Sequence, residues 1–393
     1  MKKVFCLIAS VALLASCSSS GKKSSEGEEN VLSVTVENPS GFDRLTELVE
    51  IPLEDLEEKV TLKEGSAYIV KNAAGETVPS QLTHDGKLIF PSGTKAGESN
   101  VFTITEGAPE TFKAKTYGRF ITERKDDFAW ENDRVAFRVY GPALIEIDGP
   151  SNGIDAWYKR TEELIIDKWY KNDLEGVASY HEDHGEGQDD YKVGRSLGAG
   201  AMAPYADGKL WLNENFASQE ILDNGPLRTT FKLTYKDIEV NGAAYSETRT
   251  FSLDAGSQLT KITQEYGVSE PMEVAAGVAK REKNDSIIAA LDKGYIVYAE
   301  PESEMVERVY LGLIFPAGMT NFLVDTYQVK NPKTQKEDTY SHVLGITNYQ
   351  PGAPVTYYTG YGWSKFGFPT ISDFQQYIEN TAEGLKNPLV VKY

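Results

Sequence analysis

Short segments of strand length recur along almost the whole chain, and this pattern constrains the fold more than any other feature. Within the segments, apolar residues alternate with polar ones or run together, and turn-rich stretches separate one segment from the next. Regularly spaced strands of this kind predict a mainly β chain with antiparallel sheets. The predicted strands cover residues 31–36, 67–70, 87–90, 100–105, 135–140, 144–147, 228–235, 246–253, 259–266, 295–299, 309–315, 342–347 and 355–359.

The distribution of the strands divides the chain into two β domains. Residues 31–110 are expected to form a small N-terminal β-sandwich, and residues 117–393 are expected to form a large antiparallel sandwich. One helix is predicted near the C-terminus, over residues 372–385, with Ser372 as its N-cap and apolar residues along one face. We expect this helix to cover one face or edge of the large sheet.

The first 30 residues are typical of an exported bacterial lipoprotein. Two lysines precede an apolar run that is much shorter than a membrane-spanning helix requires. The next residues, Leu-Ala-Ser-Cys, resemble a lipobox, which predicts removal of residues 1–16 as a signal peptide and lipidation of Cys17 as a membrane anchor. The alternative is a plain secretory signal with an incidental cysteine. Residues 17–30 then form a flexible tether, and we expect a location in the cell envelope, at the outer membrane facing the periplasm.

The acidic composition excludes one class of partner. The chain has 59 Asp and Glu against 40 Lys and Arg, a net charge of −19, and loss of Lys2 and Lys3 with the signal peptide makes the charge −21. A protein that binds nucleic acid needs a basic surface, so no nucleic-acid partner is expected. Two cysteines, Cys6 and Cys17, are also too few for a disulfide framework or a four-thiolate zinc site.

Residues 152–200 carry few strand signals and hold the densest set of reactive side chains in the sequence. His181, His184 and Tyr191 are candidates for acid–base catalysis, since the imidazole group titrates nearest neutral pH. Lys192 and Arg195 are candidates to bind a substrate carboxylate. The alternatives are an acidic surface loop with two solvated histidines and a structural metal loop.

The spacing of the two histidines argues against zinc-protease chemistry. That chemistry needs two histidines four residues apart on a helix, whereas His181 and His184 are three apart and glycines follow them. The carboxylates of residues 182–190 could bind Ca²⁺, but they match no EF-hand loop. We therefore predict no cofactor, and the sequence neither requires nor excludes a divalent metal.

Aromatic and buried-strand residues supply further candidates for substrate binding. Four aromatic residues between positions 357 and 363 could present flat faces to sugar rings, or they could fill the core of a sheet. An internal ion pair is the alternative role for the arginine in the strand 135–140. These candidates are Tyr358, Tyr361, Trp363, His342, Arg138 and Trp157.

Three sequence motifs resemble a known bacterial family. The run H-E-D-H-G-E-G-Q-D-D-Y-K-V-G-R-S-L-G-A-G, at residues 181–200, resembles the signature of the family called domain of unknown function 4861. The run I-D-A-W-Y-K-R at residues 154–160 and the aromatic stretch support the resemblance, which extends over nearly the whole mature chain. Members of this family accompany unsaturated glucuronyl hydrolases in polysaccharide-degrading bacteria. The resemblance implies work on uronic-acid-containing oligosaccharides and a β-supersandwich similar to that of galactose mutarotases.

Together, the polar segment and the resemblance predict an exported lyase or dehydratase that forms unsaturated uronates by β-elimination. Its partner would be an anionic oligosaccharide or polysaccharide. The carboxylate of a uronic acid acidifies the C5 hydrogen, a base removes that hydrogen, and the group on C4 leaves with help from an acid. The first alternative is a non-catalytic glycan-binding lipoprotein that uses the aromatic stretch. The second is a mutarotase-like isomerase, which the fold resemblance alone supports.

Overall fold

The structure is a computed structural model that describes residues 30–281, 283–330 and 334–393. The chain is mainly β with a C-terminal helix, which confirms the predicted fold class. The predicted signal peptide, the lipid anchor Cys17 and nearly all of the tether lie outside the described residues. Within these ranges, no helix is long and apolar enough to cross a bilayer.

The N-terminal part of the chain folds into a small two-layered β-sandwich. Leu32, Val34 and Val36 alternate with more exposed residues along the first strand, so one face of that strand is buried. The first, seventh, third and fourth strands lie in one sheet, and the second, sixth and fifth form the other. The elements are β1 (Val31–Glu37), β2 (Leu48–Pro52), α1 (Leu53–Glu57), β3 (Ala67–Asn72), β4 (Thr77–Val78), β5 (Gln81–Leu82), β6 (Lys87–Pro91) and β7 (Ser99–Gly107).

The large domain contains most of the remaining strands. Its first half comprises β8 (Thr116–Ile121), β9 (Asp127–Asn132), β10 (Ala136–Val139), α2 (Ile145–Asp148), β11 (Asp155–Lys159), α3 (Ile166–Leu174), β12 (Gly187–Asp189), β13 (Ala199–Ala206), β14 (Lys209–Leu210), β15 (Ser218–Asn224), β16 (Arg228–Thr234), β17 (Ile238–Val240) and β18 (Ala243–Tyr245). Its second half comprises β19 (Glu247–Asp254), β20 (Leu259–Tyr266), β21 (Met272–Lys280), β22 (Ser286–Ala290), β23 (Tyr295–Ala299), β24 (Val309–Ile314), β25 (Asn321–Lys330), β26 (Glu337–Tyr349) and β27 (Val355–Trp363).

Three antiparallel sheets share the main core of the large domain. An eight-stranded sheet has the order β15-β16-β19-β20-β27-β24-β23-β22, and two five-stranded sheets have the orders β12-β11-β10-β9-β8 and β14-β13-β21-β26-β25. One hydrophobic cluster contains residues from all three sheets. At its centre the rings of Phe231 and Phe251 stack with centroids 4.8 Å apart, and Trp130 packs against both. The large antiparallel supersandwich is therefore confirmed.

Residues 144–147, predicted as a strand, form a helical turn instead. Pro142 begins a short 3₁₀ helix, Pro142–Leu144, which continues directly into α2. Proline is favoured in the first turn of a helix because its missing N–H would have no partner there. The apolar run 144–147 therefore does not enter a sheet.

The C-terminal helix α4 (Ile371–Lys386) packs on the outer face of the eight-stranded sheet. Its N-cap is Thr370, not the expected Ser372, since Thr370 and Asp373 form a reciprocal capping box. Phe374 and Ile378 of the helix lie against Gly312 of β24, where a Cβ atom would lie 2.5 Å from Ile378. A glycine at this position therefore allows the helix to approach the sheet closely.

The last strand of the chain returns to the small domain. β28 (Val390–Lys392) pairs with β1 at the edge of the five-stranded sheet of the small sandwich. The small sandwich thus includes residues from both ends of the described chain, whereas the sequence pattern places residues 390–392 with the large domain. The two domains also share a small apolar contact between Ile89 and the pair Leu227 and Ala255.

Candidate active site

The polar segment 152–200 is built into a sheet rather than lying outside it as a loop. β11 pairs with β10 so that Asp155 lies opposite Arg138, and β12 pairs with β11 so that Asp189 lies opposite Trp157. Directly opposite residues, and residues two apart along a strand, point to the same face of a sheet. The register therefore brings Arg138, Asp155, Trp157 and Asp189 together on one face.

A buried group of charged side chains results, which we call the Arg138 cluster: Arg138, Asp155, Asp189 and Tyr140. Arg138 donates to Asp155 Oδ2 from Nε at 2.9 Å and from Nη2 at 2.5 Å, and its Nη2 also donates to Asp189 Oδ2 at 2.8 Å. The Tyr140 hydroxyl donates to Asp155 Oδ2 at 3.0 Å. The side chains of Arg138, Asp155 and Asp189 are at most 3% exposed. The internal ion pair that we considered for Arg138 is therefore present.

Burial changes the acidity of this cluster. Burial, together with the nearby Asp155 carboxylate, raises the pKa of Asp189 although Arg138 opposes the change. Burial likewise raises the pKa of Asp127, whose Oδ2 lies 4.0 Å from Arg138 Nη1. Two neighbouring carboxyl groups thus bind protons more tightly than isolated ones. Perturbed acids of this kind are concentrated at functional sites, although structural ion pairs also produce them.

His181 lies at the surface beside the cluster and has a defined tautomer. Its Nδ1 is 2.9 Å from the backbone oxygen of Asp189 and 3.6 Å from the Oδ2 of the same residue. Because a carbonyl oxygen only accepts hydrogen bonds, Nδ1 must carry the proton. The side chain is 59% exposed, so the lone pair of Nε2 is available to act as a base.

His184 has the opposite tautomer. Its Nε2 is 3.2 Å from the backbone oxygen of Ser179, so the proton lies on Nε2 and the lone pair on Nδ1. It contributes to a small pocket with a volume of about 70 Å³ together with Tyr180 and Trp169. The two histidines are therefore similar in exposure but differ in environment, and only His181 contacts a member of the Arg138 cluster.

An open cleft with a volume of about 480 Å³ adjoins the cluster, since Tyr140 belongs to both. Its cationic lining residues are Arg124, Arg195 and Lys330. Arg124 donates a hydrogen bond from Nη1 to Asp127 at 2.8 Å. The guanidinium carbon of Arg124 lies 5.9 Å from the centre of the Tyr180 ring. The Tyr180 ring in turn packs against His181. One cation of the cleft, Arg124, therefore lies near the same aromatic ring that packs against His181.

The remaining residues of the predicted segment have different environments. Arg195 lines the cleft, and its guanidinium donates to the backbone oxygens of Leu212 and Asn213 at 3.0 and 2.9 Å. Burial lowers the pKa of Arg195. Lys192 is exposed. Tyr191 is buried under Arg281, its hydroxyl has no hydrogen-bond partner among the described residues, and burial raises its pKa.

The structure places three of the four aromatic residues between positions 357 and 363 in the core, which corrects the prediction that this stretch presents flat faces to sugar rings. Tyr361 and Trp363 are each 1% exposed, so neither can stack on a sugar in this conformation. The Tyr361 hydroxyl donates to the backbone oxygen of Trp157, and Trp363 Nε1 donates to Val306 at 2.6 Å. Tyr358 alone among the four is half-buried on the opposite face of β27, where it lines a different cleft.

Trp157 and His342 are also internal. Trp157 is fully buried and stacks between Trp169 and Tyr180, with ring centroids 5.5 and 4.9 Å away. His342 is fully buried and accepts a hydrogen bond at Nε2 from the backbone of Leu197 at 2.9 Å. Burial lowers the pKa of His342 to about 3, so this imidazole is neutral. A direct contact of either side chain with substrate is not compatible with these positions.

Sequence reasoning missed Asp155, Asp189, Tyr140 and Arg124 as individual site residues. Asp155 and Asp189 occur in the quoted motifs, but only the strand register shows that they meet at Arg138. Among residues 30–281, 283–330 and 334–393, no group of three or more His, Cys, Asp or Glu side chains is placed to hold a metal ion.

Comparison with known proteins identifies a family for this chain. The family described as "Domain of unknown function (DUF4861)" matches residues 36–391. The protein named "Uncharacterized protein P7" from Formosa agariphila is 31% identical over 410 residues, which covers 100% of this chain and 99% of that protein. The sequence-based prediction of the family is confirmed.

Several solved structures are similar at low identity. A protein of glycosyl hydrolase family 38 from Enterococcus faecalis has a TM-score of 0.46 and 9% identity over 93% of this chain, which spans only 47% of that protein. A putative aldose 1-epimerase from Klebsiella pneumoniae has a TM-score of 0.31 and 10% identity, covering 86% of this chain and 96% of that protein. These scores carry no inference about activity.

Proposed function

Since this chain belongs to the DUF4861 family, whose description assigns no reaction, we propose a function from the chemistry of the site. We propose that the protein is an exported lyase or dehydratase that forms unsaturated uronates by β-elimination from uronic-acid-containing oligosaccharides. The resemblance of its motifs supports the class of substrate, and the Arg138 cluster with His181 supports the class of reaction.

The single observation that carries the proposal is the hydrogen bond between His181 Nδ1 and the backbone oxygen of Asp189. It turns Nδ1 towards Asp189 and leaves Nε2 on the far side of a ring that is 59% exposed and packs against Tyr180, whose own ring lies 5.9 Å from the guanidinium carbon of the cleft residue Arg124. A base in an elimination must be open to substrate, and histidine is the side chain best suited to acid–base work near neutral pH, so the exposed His181 is the proposed base.

In the proposed reaction, Nε2 of His181 takes the C5 proton of the uronate. The electron pair of the C5–H bond forms the C4–C5 double bond, and the C4–O bond breaks as the oxygen accepts a proton. Arg124 neutralises the sugar carboxylate, which makes the C5 hydrogen more acidic. Tyr140 is the proposed proton donor because it lines the cleft and carries a hydroxyl proton, which it donates to Asp155 Oδ2 at 3.0 Å in the free protein. The leaving oxygen belongs to a second sugar in a lyase and to water in a dehydratase.

The test is the ultraviolet absorbance of the conjugated double bond, followed with glucuronate-containing oligosaccharides. His181→Gln keeps a hydrogen-bond donor towards Asp189 and removes the base, so turnover should fall by about 10²–10⁴-fold. His184→Gln removes a similarly exposed imidazole from the same loop, and turnover should fall far less. Equal losses in the two variants, or full activity of His181→Gln, would contradict the proposed role. No absorbance with any uronate substrate would exclude elimination.

Export and anchoring are part of the proposal. The basis is the sequence of residues 1–17, with Cys17 as the lipidated residue and the outer membrane, facing the periplasm, as the location. Incorporation of a labelled fatty acid into the wild type but not into Cys17→Ser would support the anchor. Equal labelling of both proteins would exclude it.

A further inference from the structure

A second cleft, with a volume of about 540 Å³, lies between the two domains. Its walls are the loop before β2 in the small domain, the outer face of the eight-stranded sheet, and the C-terminal half of α4. None of the four members of the Arg138 cluster lines it. A volume of this size, at the junction of two domains, is typical of small-molecule and oligosaccharide sites.

Tyr358 faces this cleft because of the alternation of side chains along β27. Tyr357, Tyr361 and Trp363 point into the core, so Tyr358 must point to the outer face of the same sheet. Its aromatic ring is half-buried in the wall of the cleft. An aromatic face with a phenolic hydroxyl at its edge can contact the apolar face of a sugar ring and also hydrogen-bond to it.

Lys261 lies directly beside this ring. It is the cross-strand partner of Tyr358 in the β20–β27 ladder, so both side chains are on the same face. Lys261 is exposed, and it makes no ion pair or hydrogen bond with any residue that the structure describes. Its ammonium group is therefore available to an anionic ligand.

The two arginines in the walls are already paired, and their contacts join the walls to one another. Arg228 of the large domain bridges Glu50 of the small domain at 2.8 Å and Asp254 at 2.5 Å. Arg44 donates to the backbone oxygens of Gly384 and Asn387 at the end of α4, at 3.1 and 2.8 Å. These contacts join the three walls without using Lys261 or Tyr358, so the cleft is preformed.

We propose that this interdomain cleft is a second carbohydrate-binding site, which holds a uronate sugar with its ring on Tyr358 and its carboxylate on Lys261. The aromatic ring and the available cation are adjacent. The lining carboxylates Glu47, Glu50 and Asp254 are paired with Arg44 and Arg228, which leaves the Lys261 ammonium group for the carboxylate of an acidic sugar. The proposal does not depend on the elimination reaction, because no residue of the Arg138 cluster takes part.

The experiment is isothermal titration calorimetry on the full chain carrying His181→Gln, so that ligand is not consumed. The probes are a glucuronate-containing tetrasaccharide, the same compound with its carboxylates reduced to alcohols, and tetraglutamate. Tyr358→Ala should weaken one class of binding site by about tenfold or more. Tyr358→Phe should retain most of the affinity. Lys261→Gln should remove the preference for the acidic sugar over the reduced one, and Lys261→Arg should keep that preference.

Each result bears on the inference. The proposed site would be overturned if Tyr358→Ala and its parent gave identical titrations. It would also be overturned if Arg124→Gln alone abolished all binding, because Arg124 lines the other cleft. If tetraglutamate bound as tightly as the tetrasaccharide, the ligand of this cleft would be an acidic peptide and not a carbohydrate. A fall in affinity for Tyr358→Ala, with no elimination activity in the wild type, would support this site and refute the proposed reaction.

Discussion

Replacing Arg138 by methionine should destabilise the large domain strongly. The side chain is 2% exposed and makes three hydrogen bonds to Asp155 and Asp189, two carboxylates that are themselves buried. Removing one partner of a buried ion pair leaves an uncompensated charge and costs about 3–5 kcal/mol. Arg138→Met keeps much of the volume and leaves two carboxylates without their cation, so the upper part of that range is expected.

Urea unfolding followed by tryptophan fluorescence measures this effect selectively. All five tryptophans, at positions 130, 157, 169, 211 and 363, lie in the large domain, so the signal reports on that domain. Lys113→Gln removes an ion pair with Glu163 in which both side chains are more than half exposed, and its unfolding midpoint should not change measurably. A loss for Arg138→Met of less than about 1 kcal/mol at pH 7 would refute the description of the cluster as a dry ion network.

The pH dependence gives an internal check on the same variant. The pKa of Asp189 is raised in the folded protein, so this residue contributes stability at low pH that is lost as the pH rises through its folded-state pKa. Without Arg138, which opposes the increase, the pKa should rise further. The difference between Arg138→Met and wild type should therefore be largest at alkaline pH, above the folded-state Asp189 pKa of about 8, and should shrink as the pH falls below that value, where the carboxyl group is protonated in both proteins.

Two other buried polar side chains should respond differently. Tyr361→Phe removes a hydroxyl that donates to Trp157 and accepts from the backbone of Lys159 at 3.1 Å, so urea unfolding should show a loss of about 1–3 kcal/mol. For His342, a folded-state pKa lowered to about 3 means that stability is lost as the pH falls below about 6.5, because the unfolded imidazole binds a proton first. His342→Gln should remove this part of the acid sensitivity, and an unchanged slope of unfolding free energy against pH between 4 and 6.5 would contradict the assigned burial.

Much of the fold was predictable because its signals are local. Alternation along β1 and the long apolar strands of the large domain indicated two β domains, and an amphipathic period indicated α4. The predictions of secondary structure and domain membership failed where a short stretch of sequence was compatible with more than one structure. The run 144–147 is apolar enough for a strand, but Pro142 begins a helical turn there. Pairing of residues 390–392 with β1 joins positions far apart in sequence and has no local signal.

The site was predictable in its location but not in its arrangement. The sequence singles out the segment around His181, yet nothing in it shows that Arg138 lies opposite Asp155 or that a backbone oxygen fixes the His181 tautomer. Both facts depend on strand register, which is set by side-chain packing over a whole sheet. The aromatic stretch is different, because its alternation was readable in advance. In a strand, Tyr357, Tyr361 and Trp363 must share one face, and Tyr358 must occupy the other.

That alternation also bears on how the two proposed sites are related. β27 separates the inner face of the eight-stranded sheet, where Tyr361 binds the backbone of β11 through Trp157, from the outer face, where Tyr358 lines the interdomain cleft. One strand thus contacts the framework of the Arg138 cluster on one side and the second cleft on the other. Substitutions that displace β27 as a whole would disturb both faces, whereas Tyr358→Ala and Tyr361→Phe each change a side chain on one face only. Comparing binding and turnover in these two variants therefore separates the clefts more cleanly than any change at a glycine of the same strand.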